Sequence, residues 1–363
     1  MQTRRSGIVS VGRFLPPNVV TNFDLEEMGI DTSDDWIRTR TGIHERRIVT
    51  NGLRQSDLSL HASREALMRV GWSPDDLDLI IVATVTPDHI FPASANTLAA
   101  KLGAVGVGSF DLVNACSGFI YGIFQASAAI ESGRANRVLV VGSEIMSSIL
   151  DWEDRATCVL FGDGAAAVCL EAVEEPYGFR DFILGSDGRY GDLLYMPGGG
   201  SAMPASNDSI DRRQHFIKMN GGEVFKFAVK KMKEVSEELL ERAGITPEDI
   251  GVFIPHQANI RIIDACTKRL GLKKHQVVTN IHKYGNTTSA TIPTAIYEAE
   301  AEGRINKGDW ILLVTFGAGL TWGGTLMQWA VDKLPSGTSF MSDDAAYDSY
   351  SSSLRPGQDF NRL

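Results

Sequence analysis

The chain has 363 residues, 43% of them hydrophobic, enough for one large domain or two halves around a sizeable core. A net charge of −10 argues against nucleic acid as the main partner. Cys116, Cys158, Cys169 and Cys266 show no C-x-x-C pairing, and no apolar run is long enough for a membrane span or follows Arg4, Arg5 and Arg13 as a signal peptide, so a reduced, cytoplasmic protein is expected.

In chain order, Leu79–Thr84 is a short continuous apolar run, as expected for a strand buried on both faces. An apolar segment from Asp111 runs into Ala115-Cys116-Ser117-Gly118, and a helical pattern follows from Ile120 to Glu131. Val138–Gly142 is a second buried strand, and Phe161-Gly162-Asp163-Gly164 joins apolar segments. The polar stretch from Gly198 to Gln214 reads as a loop, and Glu223 to Ala243 as a helix. A strand pattern ends at Pro255-His256, Gly285-Asn286 precedes a helical run from Ile292 to Glu302, and Ile311–Thr315 is a further strand before Phe316-Gly317-Ala318-Gly319. Residues 334–363, rich in Ser, Asp, Tyr and Gly, read as a flexible tail. This alternation predicts an α/β fold with buried sheet.

The chain also repeats itself. Arg69-Val70-Gly71-Trp72-Ser73-Pro74-Asp75-Asp76-Leu77 matches Arg242-Ala243-Gly244-Ile245-Thr246-Pro247-Glu248-Asp249-Ile250, and Gly133-Arg134-Ala135-Asn136 matches Gly303-Arg304-Ile305-Asn306, at offsets of 173 and 170. Two matches in the same order at nearly one offset predict a duplicated unit, with halves at 1–173 and 174–333.

Cys116 is expected where a strand turns into a helix N-terminus, a setting that stabilises a thiolate and an adjacent oxyanion; the alternative is a buried structural cysteine. His256 ends a buried strand, at the edge where sites of open α/β sheets gather. Asn286 reads either as a helix cap or as part of that site. Counting back 170 positions from Asn286 reaches Cys116, so the two are expected to begin equivalent helices and to face each other near His256. The glycine-rich segments fit no phosphate-binding loop, and no metal-ligand cluster is visible.

Together these segments resemble the thiolase-fold condensing enzymes, most closely the β-ketoacyl-[acyl-carrier-protein] synthase III family. The resemblance covers about Ile8 to Ala330 and rests on seven strings in order. They are Thr32-Ser33-Asp34-Asp35-Trp36-Ile37, Arg40-Thr41-Gly42-Ile43, the Cys116 segment, Phe161-Gly162-Asp163-Gly164, Pro255-His256-Gln257-Ala258-Asn259, Gly285-Asn286-Thr287 and Phe316-Gly317-Ala318-Gly319. It implies a five-layered αβαβα thiolase-like fold, a homodimer, and a triad of Cys116, His256 and Asn286. The N–H groups of Cys116 and Ala318 would form the oxyanion hole, although the family more often has Gly at the position of Ala318. Trp36, Arg40 and Arg155 would hold the nucleotide end of coenzyme A, and Asn259 the pantetheine arm. Phe91 would shape the acyl pocket across the dimer interface. Lys226, Arg261, Lys268 and Arg269 would dock an acidic acyl carrier protein. The implied activity loads an acyl group from acyl-CoA onto Cys116 and extends it with malonyl-acyl carrier protein, without metal or redox cofactor. A sibling condensing enzyme of secondary metabolism, of polyketide or quinolone type, and a Cys-His thioester hydrolase are the alternatives.

Overall fold

The computed structural model describes residues 4–50 and 52–332. The tail expected at 334–363 lies outside the described residues. The principal elements begin with β1 (Arg5–Phe14), α1 (Asp34–Thr41), α2 (Gln55–Val70), β2 (Leu79–Ala83), α3 (Ser94–Leu102) and β3 (Gly108–Leu112). They continue with α4 (Gly118–Glu131), β4 (Val138–Glu144), β5 (Gly164–Val173), β6 (Gly178–Ser186) and α5 (Gly221–Ala243). Last come β7 (Ile250–Pro255), α6 (Ile260–Leu270), α7 (Thr291–Ala301), β8 (Trp310–Gly317) and β9 (Thr321–Gln328). The stretch expected as a loop from Gly198 to Gln214 contains a short helix, Asn207–Asp211.

The first main sheet has the order β1-β5-β4-β2-β3, with β2 parallel to both β3 and β4. The second has the order β6-β9-β8-β7, with β7 parallel to β8. At the place of β3, the second half has, among the described residues, only a parallel bridge from Phe253 to Val277. The buried strands are apolar on both faces and need cover on both. Ile81 and Val140 from one sheet and Leu313 and Met327 from the other close on α4 and α7, which lie between them. On the far face of the first sheet, Ile80, Val82 and Leu139 pack against α2 and α3. On the far face of the second, Phe253 and Leu312 pack against α5 and α6. The layers are therefore αβαβα, as expected.

One expectation fails in register. Ile80 pairs with Leu139 and Phe253 with Leu312, so the sheets correspond at an offset of 173. The helices begin at Gly118 and Thr291, again 173 apart. The counterpart of Cys116 is therefore Ser289, and Asn286 corresponds to Val113. The offset of 170 holds only after the helices, because α7 has 11 residues where α4 has 14. Lys307-Gly308-Asp309 restores the difference before β8.

Candidate active site

Beyond β3, Ala115 takes a φ of 45°, a left-handed conformation uncommon for a residue with a Cβ. The chain turns there through a single 3₁₀ turn, Ala115–Ser117, directly into α4. Cys116 sits in this turn and is 6% exposed. Thr315 on β8 donates through Oγ1 to the Cys116 carbonyl at 2.8 Å. Gly317 packs so closely that a Cβ there would lie 3.0 Å from the backbone nitrogens of Cys116 and Ser117. Only glycine fits that approach without displacing the turn.

His256 extends β7 by donating its N–H to the Val314 carbonyl at 2.8 Å. Its Nδ1 lies 2.6 Å from Thr291 Oγ1. That hydroxyl is also 3.0 Å from the Thr288 carbonyl, which already takes the Thr291 N–H. The hydroxyl has one proton for Nδ1 and the Thr288 carbonyl, whose second lone pair is open, so the ring tautomer is tied to which of the two it serves. Burial pushes His256 down to about 3, so the imidazole is neutral. Asn286 is held by backbone bonds to Leu160 and Gly162 at 2.8 and 3.1 Å. Its Oδ1 accepts from the Thr288 N–H at 2.8 Å, which turns the amide donors the other way. The Asn286 amide acts on the Cys116 thiol in the direction that favours its ionised form.

Cys116, His256 and Asn286 line one cavity of about 130 Å³ together with Asn259, Phe225 and Gly317. On its other side Cys116 lines a second, apolar cavity of about 420 Å³, with Val85, Met146, Ile149, Ile217 and Ala318. The sulfur-bearing residue thus stands in a wall between a narrow passage and a wider apolar pocket. Leu194 and Ile217, which flank the stretch from Gly198 to Gln214, border that pocket.

The expected thiolate is not the resting form. Burial pushes the Cys116 thiol up to about 12, and an ionised Glu144 acts in the same direction. The N–H of Cys116 and the Asn286 amide pull the other way but are outweighed. A helix N-terminus stabilises an anion, but here burial dominates.

The other expected contacts fall into groups. Ser33 caps α1 by accepting from the Trp36 N–H at 3.2 Å. The Trp36 ring has the guanidinium of Arg155 at 5.3 Å and that of Arg40 at 5.9 Å. Asn259 donates to the Arg40 carbonyl at 3.1 Å and accepts the Arg261 N–H at 2.9 Å, which leaves one amide N–H uncommitted between α1 and α6. Lys226 on α5 and Arg261, Lys268 and Arg269 on α6 are exposed. Arg261 lies 5.5 Å over Phe225, which lines the narrow cavity. Phe91 is not brought to the pocket of its own chain: it is 84% exposed, next to Ile90 at 86%. Thr291 was missed by sequence reasoning. It lies in a run of small polar residues, and only the folded chain sets its hydroxyl against His256.

Two sequence families match. The 3-oxoacyl-[acyl-carrier-protein (ACP)] synthase III family matches residues 110–188, and the family of that protein's C-terminal part matches residues 240–329. The β-ketoacyl-[acyl-carrier-protein] synthase III of Caldanaerobacter subterraneus subsp. tengcongensis is 52% identical over 325 residues, 90% of this chain and 98% of the relative. The crystal structure of 3-oxoacyl-[acyl-carrier-protein] synthase III from Aquifex aeolicus VF5 is similar at a TM-score of 0.83 and 46% identity, over 89% of this chain and all of that one. The priming β-ketosynthase of the R1128 polyketide pathway is similar at a TM-score of 0.84 and 34% identity, over 92% of this chain and 98% of that one.

Proposed function

The chain belongs to the β-ketoacyl-[acyl-carrier-protein] synthase III family, and from that premise we propose that Cys116 is its nucleophile and that His256 and Asn286 serve the malonyl step. The enzyme is an acyltransferase of fatty acid biosynthesis that condenses an acyl-CoA with malonyl-acyl carrier protein in the initiating step. The observation that carries the residue assignment is the position of Cys116 between the two cavities, with His256 and Asn286 on the narrow side.

The acyl chain enters the apolar pocket and the Cys116 sulfur attacks the thioester carbonyl. The N–H groups of Cys116 and Ala318 donate to the oxyanion, each contributing about 3–4 kcal/mol to the transition state. The thiol proton ends on the departing coenzyme A sulfur, and an acyl-Cys remains. Malonyl-acyl carrier protein then occupies the narrow passage. Loss of carbon dioxide puts charge on the thioester oxygen, which accepts from a ring N–H of His256 and the Asn286 amide. The carbanion attacks the acyl-Cys carbonyl, and Cys116 is expelled as a thiolate that takes up one proton from solvent.

Trp36, Arg40 and Arg155 are proposed to hold the nucleotide end of coenzyme A, and Asn259 the pantetheine arm through its uncommitted N–H. The exposed cations of α5 and α6 are proposed to dock the carrier protein. A homodimer is proposed through the β3 edge, where Val113 is 74% exposed, so that Phe91 reaches the partner's acyl pocket. Sedimentation at about twice the chain mass of 39.5 kDa tests the dimer. The division into halves at 1–173 and 174–333 is proposed because it falls in the turn between β5 and β6 and leaves sheets of corresponding order on each side. A cytoplasmic location is proposed from the four free cysteines, and no described helix is long and apolar enough to cross a membrane.

The test is incubation with acetyl-CoA and longer acyl-CoAs, followed by malonyl-acyl carrier protein. An acyl mass on the Cys116 peptide that is discharged as a 3-ketoacyl product is expected. Release of free acid without use of malonyl thioester would indicate the hydrolase instead.

A further inference from the structure

The 173-residue register gives the nucleophile's surroundings a counterpart in the other half. Ser289 corresponds to Cys116, Ala83 to His256, and Glu144 at the end of β4 to Gly317 at the end of β8. The two turns are built alike. Thr315 touches the Cys116 carbonyl, and its counterpart Gly142 lies so near the Ser289 carbonyl that a Cβ would come within 2.4 Å of it. They differ in what stands opposite. Gly317 brings no side chain to Cys116, whereas the Glu144 carboxyl reaches Ser289.

Glu144 is fully buried. Its Oε2 accepts from Thr86 Oγ1 at 2.7 Å, from the Val85 N–H at 3.0 Å and from Thr84 Oγ1 at 3.1 Å. Both threonine oxygens also accept backbone N–H groups, Thr84 from Thr86 and Thr86 from Ile145, so their own protons point to the carboxyl. On the other side, Oε1 is 3.1 Å from Ser289 Oγ, which is 2.8 Å from the Ala83 carbonyl. A serine hydroxyl has one proton for these two acceptors. With a carboxylate at 144, one of the two contacts sets acceptor against acceptor in a buried place. With a carboxylic acid, Oε1–H donates to Ser289 and Ser289 donates to Ala83, so every contact is satisfied.

We propose that Glu144 is held as a neutral carboxylic acid and is a positioning residue for the condensation. Its chain of hydrogen bonds fixes both the Val85 wall of the acyl pocket and the Ser289 turn that joins Asn286 to Thr291. The protonation state stands by itself; the consequence for turnover rests on the roles assigned above to Cys116, His256 and Asn286.

The surroundings agree. Among the described hydrogen bonds and ion pairs no cation meets Glu144. Asp163, next to its cross-strand partner Gly164, is turned to Ser147 and Val49, and Asp88 in the loop after β2 is turned to Ser56. His256 is engaged by Thr291. Cys116 is the titratable neighbour that responds to the charge. Burial pushes the Glu144 carboxyl up to about 7. Ionisation on raising the pH through that value would break the Ser289 chain and push the Cys116 thiol further up.

Infrared difference spectra of the wild-type chain, with glutamate carboxyls isotope-labelled so that Asp163 is silent, give the direct test. An acid carbonyl band that fades as the pH rises through about 7 is expected. Its absence below that value overturns the proposal, whatever becomes of any variant. Glu144→Gln then supplies the consequence. It stays uncharged, keeps an oxygen for Thr84, Val85 and Thr86, and offers an N–H to Ser289. Alkylation of Cys116 is expected to run at equal rates in both proteins at mildly acid pH. Above neutrality the wild type is expected to fall several-fold behind. Superimposed profiles overturn the link to the nucleophile. Absence of acyl-Cys116 with every acyl-CoA would instead count against the assigned roles and leave the infrared result standing.

Discussion

Asn286 can donate toward the sulfur because its other end is spoken for: the Thr288 N–H occupies Oδ1 at 2.8 Å. An amide does not titrate, so it donates to the enolate at any pH. Asn286→Ala is expected to slow malonyl decarboxylation by ~10²–10³-fold, the effect of losing one such donor. Acyl loading of Cys116, followed by peptide mass, should fall much less. His256 depends on Thr291 in a comparable way. Without the hydroxyl at 2.6 Å, Nδ1 loses the described partner that orients the ring. Thr291→Val is expected to lower the rate of 3-ketoacyl product formation roughly tenfold, the scale of one hydrogen bond. Thr291→Ser, which keeps the hydroxyl, should restore it. Because burial holds His256 down to about 3, the imidazole gains a proton only below that value, and in Glu144→Gln, where the titration of that carboxyl is removed, the decarboxylation rate is expected to show no inflection near the ordinary 6.5.

Among the elements, α6 connects the passage to the exterior. Its buried face is Ile262, Ile263, Cys266 and Leu270, and its exposed cations include Arg261 and Lys268. Arg261→Glu is expected to raise KM for malonyl-acyl carrier protein several-fold, with the difference shrinking as salt is added, while acyl loading from acyl-CoA keeps its wild-type rate. Lys268→Glu, which disturbs no stack on Phe225, should act in the same direction and so separates charge from packing. Helices and strands of this kind were legible because their buried faces are continuous. Leu79–Ala83, Val138–Glu144 and Gly118–Glu131 begin within two residues of the apolar patterns that announced them. The duplication was legible as well, but its register at the site was not. The match at Gly133 and Gly303 follows the shortening of α7, so counting from it shifts Asn286 onto Cys116. The thiol's resting state was hidden for a different reason. A helix N-terminus can be read from the order of residues, whereas the burial of Cys116 depends on strands brought to it from the other half.

For the whole molecule, α7 carries the consequence of that arrangement, since it belongs to the second half and is held by charged and polar groups of the first. Arg13 reaches Glu298 at 3.1 Å and Glu65 accepts from Tyr297 at 2.7 Å. Arg69 pairs with Glu300, each side chain 4% exposed. Arg69 also donates to the Val11 carbonyl at 2.6 Å. Removing one partner of such a pair leaves a buried charge without compensation, whereas removing both leaves none. Glu300→Gln is therefore expected to lower the unfolding free energy in urea by ~3–5 kcal/mol. Combining Arg69→Met with Glu300→Leu should recover most of that loss. If the double variant were as unstable as the single one, the cost would lie in lost packing across α2 and α7 rather than in the stranded charge. The same denaturation curves decide a second point. Thr291 begins α7, so a variant that frees α7 from the first half before the molecule unfolds should lose product formation at urea concentrations where the sheets are still intact.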